Sequence, residues 1–128
     1  MPGHRRAVSY YRAGLAGSRM SVDDFAGWPL SDAVWVHTSG FTAGLSASCS
    51  ALVERIVADS TQFGDCTSFD VNYRAALWPS RDAATARCLE LGRGCQVLLV
   101  GFDEAQELWG SRPPSRSLSC LIPFRTWW

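Results

Sequence analysis

A chain of 128 residues is one domain at most by size, and 47% hydrophobic with 19% charged residues is an ordinary globular composition. All 12 basic residues are arginine and 12 acids balance them, so no net charge draws the chain to nucleic acid or to an anionic membrane. Missing lysine also excludes Schiff-base chemistry and a P-loop lysine within the chain.

The N-terminal run Ala7-Val8-Ser9-Tyr10-Tyr11-Arg12 is strand-like, and with Ala13-Gly14 behind it we expect a β-flap beside the ligand crevice. Ser21-Val22-Asp23-Asp24 has the form of a capping box and opens a short helix. From Ala33 a strand-then-helix pattern runs three times. The strands are Ala33-Val34-Trp35-Val36-His37, Thr67-Ser68-Phe69-Asp70-Val71 and Gln96-Val97-Leu98-Leu99-Val100, each short and rich in β-branched or aromatic residues. In the first helix Ser46 caps an apolar stripe of Cys49, Leu52, Val53, Ile56 and Val57. The second has Pro79 and Ser80 ahead of it, Asp82 in its first turn, an apolar face of Cys88, Leu89 and Leu91, and Gly92 as C-cap. A third starts near Asp103 and stops at Gly110. Residues 111–128 hold three Arg, three Pro and four Ser but no acid, show no periodicity, and are expected to be unstructured.

Alternating strands and helices of this length imply βαβ crossovers and a parallel sheet covered on both faces. Ligands of such sheets bind outside the carboxyl ends of the strands. Those ends carry His37-Thr38-Ser39-Gly40, then Asp70, Asn72 and Arg74, then Gly101, Asp103 and Glu104, all polar. If the second strand stays extended, Asp70, Asn72 and Arg74 point to one side and form a site for a polar ligand. His37 reads as a satisfied strand-end histidine, and Trp78 and Trp109 read as core residues. Glu104 lies in a first helical turn, which favours an acid whether or not a metal is near.

The five cysteines are odd in number, have no C-x-x-C pairing and mostly occupy apolar positions, so they read as reduced core residues. His4 and His37 are the only histidines, which disfavours a Cys/His metal site. With no apolar run of membrane-spanning length and no signal core behind Arg5 and Arg6, we expect a cytoplasmic protein that partners neither membrane nor nucleic acid.

Tyr10-Tyr11-Arg12-Ala13-Gly14, His37-Thr38-Ser39-Gly40, Asp70-Val71-Asn72-Tyr73-Arg74 with Leu77-Trp78, and Val100-Gly101-Phe102-Asp103-Glu104-Ala105 together resemble the PfkB, or ribokinase-like, carbohydrate kinases. Within that family they are similar to the 2-keto-3-deoxygluconate kinase branch, in the family's order, over roughly Arg6 to Gly110. The resemblance implies a ribokinase-like α/β fold, three-layered α/β/α with parallel strands and an N-terminal β-flap acting as a lid. It implies an ATP- and Mg2+-dependent kinase acting on a sugar acid, and leaves room for an oligomer of the intact protein.

By position, the resemblance makes Tyr11 and Arg12 lid residues over the sugar acid and Arg74 the clamp on its carboxylate, a task suited to a forked guanidinium. It places Ser39, Gly40, Asp70 and Asn72 around the substrate. Glu104 matches the glutamate of the family's N-x-x-E segment, which organises magnesium and phosphate, but Gly101 stands where the family has asparagine. The chain lacks both the family's Gly-Gly substrate segment and its Gly-Ala-Gly-Asp turn, whose aspartate is the base. We therefore expect residues 1–110 to be the central part of a kinase domain and 111–128 an out-of-frame tail, the whole being a fragment inactive by itself. A non-catalytic sugar-acid binding module and a vestigial product remain as alternatives.

Overall fold

A computed structural model describes residues 14–28, 30–59, 66–110 and 120–123, of which Ser31 and 120–123 are described in backbone alone. The expected flap at 7–12, with Tyr11 and Arg12, lies outside the described residues. After a 3-10 turn at Ala16–Arg19, Ser21 opens α1 (Val22–Phe25), its backbone N–H donating to Asp24 Oδ2 at 2.9 Å as the capping-box spacing predicts. Then follow β1 (Trp35–Ser39), α2 (Gly40–Leu45), α3 (Ala47–Ala58), β2 (Cys66–Asp70), α4 (Arg81–Arg93), β3 (Val97–Val100), α5 (Phe102–Trp109) and β4 (Cys120–Pro123).

The sheet runs β1-β2-β3-β4, with β1, β2 and β3 parallel as expected. β1 begins two residues later than its composition suggests and runs through Ser39, because Thr38 and Ser39 still pair with Phe69 and Asp70. The tail departs from expectation. Cys120–Pro123 pairs antiparallel with β3, and Pro123 is tolerated there because β4 is an edge strand whose outer side needs no ladder donor.

Strand alternation sorts the sheet into two faces. Val36, Thr38, Thr67, Phe69, Val71, Leu98 and Val100 are buried on one of them. Against that face pack Val53 and Val57 of α3, Ala84, Cys88 and Leu91 of α4, and Ala105 and Leu108 of α5. A second cluster joins Val36 to Leu52 and Ile56 of α3, with Met20, Phe25 and Leu30 leaning on it. Among the described residues every such helix contact uses this face, so two layers of the expected three are present. The opposite face carries Trp35, 56% exposed, and the exposed His37.

The helix stops follow local chemistry. Ser46 Oγ accepts the Cys49 N–H at 3.1 Å and donates to the Ser18 carbonyl at 2.7 Å, capping α3 and fastening the 3-10 turn to it. Ser80 Oγ caps α4 through the Ala83 N–H at 3.1 Å. Gly92 is not the C-cap of that helix; Gly94 is. Gly92 lies within α4, packed close to the sheet, where a Cβ would come within 2.9 Å of Leu98 Cδ1. Gly110 closes α5 at φ 64°, in the left-handed region.

Candidate functional site

The carboxyl ends of the three parallel strands bring Ser39–Gly40, Asp70–Arg74 and Gly101–Glu104 to one end of the sheet. Ser39 ends β1 opposite Asp70 in register, and its Oγ accepts the Thr42 N–H at 3.2 Å, which caps α2. Gly40 follows in a buried position. A Cβ built on it would lie 2.3 Å from the Val71 carbonyl oxygen and 3.0 Å from Cys88 Sγ, so only glycine lets α2 start this close to the end of β2.

The loop after β2 does not keep the extended form that would align Asp70, Asn72 and Arg74. Asn72 has φ 39°, the one positive φ among described non-glycine residues, and this turns the chain. The turn is local chemistry, since Asp70 Oδ1 accepts the Asn72 N–H at 3.2 Å and asparagine tolerates the left-handed region. Arg74 therefore sits on a loop rather than on a strand face. It is half-buried, and its Nη1 donates to the Tyr73 carbonyl at 2.8 Å, which leaves most of the guanidinium fork uncommitted by that bond.

Glu104 joins the second and third strand ends. Its Oε1 accepts the Tyr73 N–H at 2.7 Å and its Oε2 accepts the Gly101 N–H at 3.0 Å. Among the described residues no group of three or more His, Cys, Asp or Glu side chains could hold a metal, and both Glu104 oxygens already receive backbone donors. The described residues do not fit a protein-built magnesium site.

The remaining candidates are structural. His37 Nδ1 lies 2.7 Å from Ser68 Oγ, which also accepts from Trp35 Nε1 at 2.7 Å, so the histidine belongs to a side-chain chain on the sheet's open face. Trp78 and Trp109 pack half-buried against the main core. The described cysteines Cys49, Cys66, Cys88 and Cys95 are free thiols, and burial pushes Cys88 up to about 12, with the Glu104 charge as a lesser cause. Cys88 is thus no nucleophile at neutral pH despite its place beneath Gly40. A concavity of about 600 Å³ between the Gly14–Met20 segment, Asp24 and Trp28 contains none of the candidate residues. Among the described residues no helix is long and apolar enough to cross a membrane. Sequence reasoning missed α2 and the Tyr73-to-Glu104 bond. The Ser39 and Thr42 spacing is a signal for the first; a backbone donor leaves no trace in composition.

No model of a known protein family matches the chain. It is 37% identical to a 2-dehydro-3-deoxygluconokinase from Thermoproteus tenax over 91% of its own length and 35% of that protein's. It is 35% identical to a 2-dehydro-3-deoxygalactonokinase from Haloferax volcanii over 83% of its length and 34% of that protein's. Its fold superposes on a PfkB protein from Polaromonas sp. JS666 with a TM-score of 0.77 at 28% identity, covering 84% of this chain and 37% of that one. The chain thus spans about a third of the length of the curated relatives it matches. Over the residues shared with these proteins, in sequence and in the order of its strands and helices, the chain belongs to the PfkB family of carbohydrate kinases.

Proposed function

We propose that this chain carries the sugar-acid half of a PfkB kinase site, for an ATP-dependent kinase that phosphorylates a 2-keto-3-deoxy sugar acid such as 2-keto-3-deoxygluconate. The observation that carries the reading is the half-buried Arg74 at the joined ends of β1, β2 and β3, in a chain related to 2-dehydro-3-deoxygluconokinase. In this reading Arg74 clamps the substrate carboxylate, Asp70, Asn72 and Ser39 meet its hydroxyls, and Gly40, by letting α2 start against the end of β2, keeps Ser39 beside Asp70. Tyr11 and Arg12 close over the ligand. ATP enters as the phosphate donor, and no step of the reading runs through a metal held by this chain.

The 128-residue chain by itself binds without turnover. Transfer requires a base within hydrogen-bond reach of the attacking hydroxyl, and the sequence contains no Gly-Ala-Gly-Asp turn to supply one. Asp70 lies at the start of the substrate loop, where this reading gives it a hydroxyl to bind rather than a proton to remove. Calorimetry with 2-keto-3-deoxygluconate and a coupled ADP-release assay test both halves of the proposal. Arg74→Ala should weaken binding by about 1.5–3 kcal/mol, the loss of a charged hydrogen-bonding partner. Equal affinity in the variant would refute the clamp, and turnover above background would refute the inactivity.

A further inference from the structure

We propose that Glu104 is a positioning residue for the substrate loop rather than a metal ligand: its carboxylate completes the β2–β3 ladder where β3 turns into α5, and so holds residues 72–74 in place. In a parallel pair the donors of alternate residues bond successive alternate carbonyls of the neighbour. The Val71 N–H donates to the Leu99 carbonyl at 2.9 Å, so the next donor, the Tyr73 N–H, is due at the Gly101 carbonyl. The ladder does not continue that far: the chain turns at Asn72, and the Gly101 carbonyl accepts the Ala105 N–H at 2.9 Å as the first bond of α5. Tyr73 would be left with an unmet donor in a half-buried loop, a costly state.

Glu104 supplies the acceptor. One oxygen takes the Tyr73 N–H and the other takes the Gly101 N–H, so one carboxylate spans the start of α5 and the loop that carries Asn72 and Arg74. Bonds from backbone donors to an ionised acceptor are the stronger kind. The glycine at 101 belongs to the same device. A Cβ there would lie 3.3 Å from Glu104 Oε2, tighter than nine in ten real Cβ contacts, so a side chain would crowd the folded-back carboxylate. Asn72 turns the chain at φ 39°, a conformation asparagine tolerates, so the course of Tyr73 and Arg74 is set by what fastens each side of the turn. Asp70 fastens one side of Asn72 and Glu104 fastens the other, through Tyr73.

The consequence for ligand binding rests on the sugar-acid reading above; the tether itself does not. The test uses the full 128-residue chain, labelled with nitrogen-15, with Glu104→Gln as the variant. Glutamine keeps the shape and one acceptor but turns an N–H towards the second donor. In the native chain the Tyr73 and Gly101 amides should be protected from exchange. In the variant at least one of them should exchange about tenfold faster, while the Phe69 amide in β2 is unchanged. Affinity for 2-keto-3-deoxygluconate, measured in chelator, should fall about tenfold. Millimolar magnesium should leave both amide resonances of the native chain where they are. An unprotected Tyr73 amide in the native chain, unchanged exchange in the variant, or a saturable magnesium shift at Gly101 would each overturn the proposal, and the first and last need no variant. Failure of the native chain to bind the sugar acid would overturn the sugar-acid reading, while the Tyr73 exchange would still decide the tether.

Discussion

Replacing Gly40 with alanine tests the geometry of the site without touching a polar group. The added methyl would stand 2.3 Å from the Val71 carbonyl oxygen and 3.3 Å from its carbon, and 3.0 Å from Cys88 Sγ. Real Cβ atoms essentially never come closer than 3.0 Å to such neighbours, so one side must move. Little there is free to do so. Val71 is fully buried, its N–H is bonded to the Leu99 carbonyl, and Cys88 is fully buried in α4. Overpacking against side chains costs about 1–3 kcal/mol, and a clash with pinned backbone belongs at the upper end, about 3 kcal/mol. For a domain of this size that lowers the melting temperature by roughly 10 °C. Gly17→Ala is the control, since a Cβ there meets nothing within 4 Å. Circular dichroism melts and urea titrations of the three proteins are the assay. A Gly40→Ala variant as stable as the native chain, or one no worse than Gly17→Ala, would refute the close approach of α2 to the end of β2.

Two further outcomes follow from the same structure. Cys88 and Cys95 are both pushed up to about 12, burial being the main cause, aided by Glu104 for Cys88 and by Cys66 for Cys95. A thiol harder to ionise when folded favours the fold fully below its unfolded value, 9.0, and that contribution is lost as pH rises from 9.0 towards about 12. The urea midpoint should fall across that window, and in the native state a thiol reagent should label half-buried Cys66 ahead of Cys88 and Cys95; equal labelling rates would contradict the burial. Arg87 joins α4 to α3 through Ser50 Oγ at 3.1 Å and Glu54 at 2.7 Å, and also reaches Glu90 at 2.8 Å. Arg87→Ala should cost about 1 kcal/mol. Glu54 and Glu90 are 59% and 65% exposed, so added salt should weaken the native chain towards the variant; a salt-independent gap would place the effect in packing instead.

The parts of the fold governed by short-range pattern were legible in advance. The i, i+3, i+4 stripe of α3 is buried as a set, and Ser46, Ser80 and Gly110 cap the helices their positions suggest. Gly92 misled because glycine serves two purposes: sequence suggests a helix stop, whereas close contact with Leu98 is what the residue provides. The alternation of Asp70, Asn72 and Arg74 misled because it presumes an extended backbone, and the side chain of Asp70 itself favours the turn that ends it. β4 has no readable period, since its pairing depends on an available edge of β3 rather than on its own composition. At the site, the meeting of three strand ends follows from the βαβ pattern alone. The role of Glu104 does not, because it depends on where the chain turns away from the ladder.

The strand order β1-β2-β3 also bears on how the chain comes together in time. Each parallel neighbour is the next strand in sequence, and the connections, residues 40–65 and 71–96, are of equal length. Among the described strands none has to be inserted between two that have already paired, so a sheet begun by β1 and β2 presents the edge that β3 needs, and β3 then presents the edge for β4. Loop closure grows slowly with length, about 0.6 kcal/mol per doubling, so the two equal crossovers carry the same entropic cost. The molecule can therefore be laid down from its N-terminal side one strand at a time, each step stabilised by the helix just completed, as a chain leaving the ribosome would require.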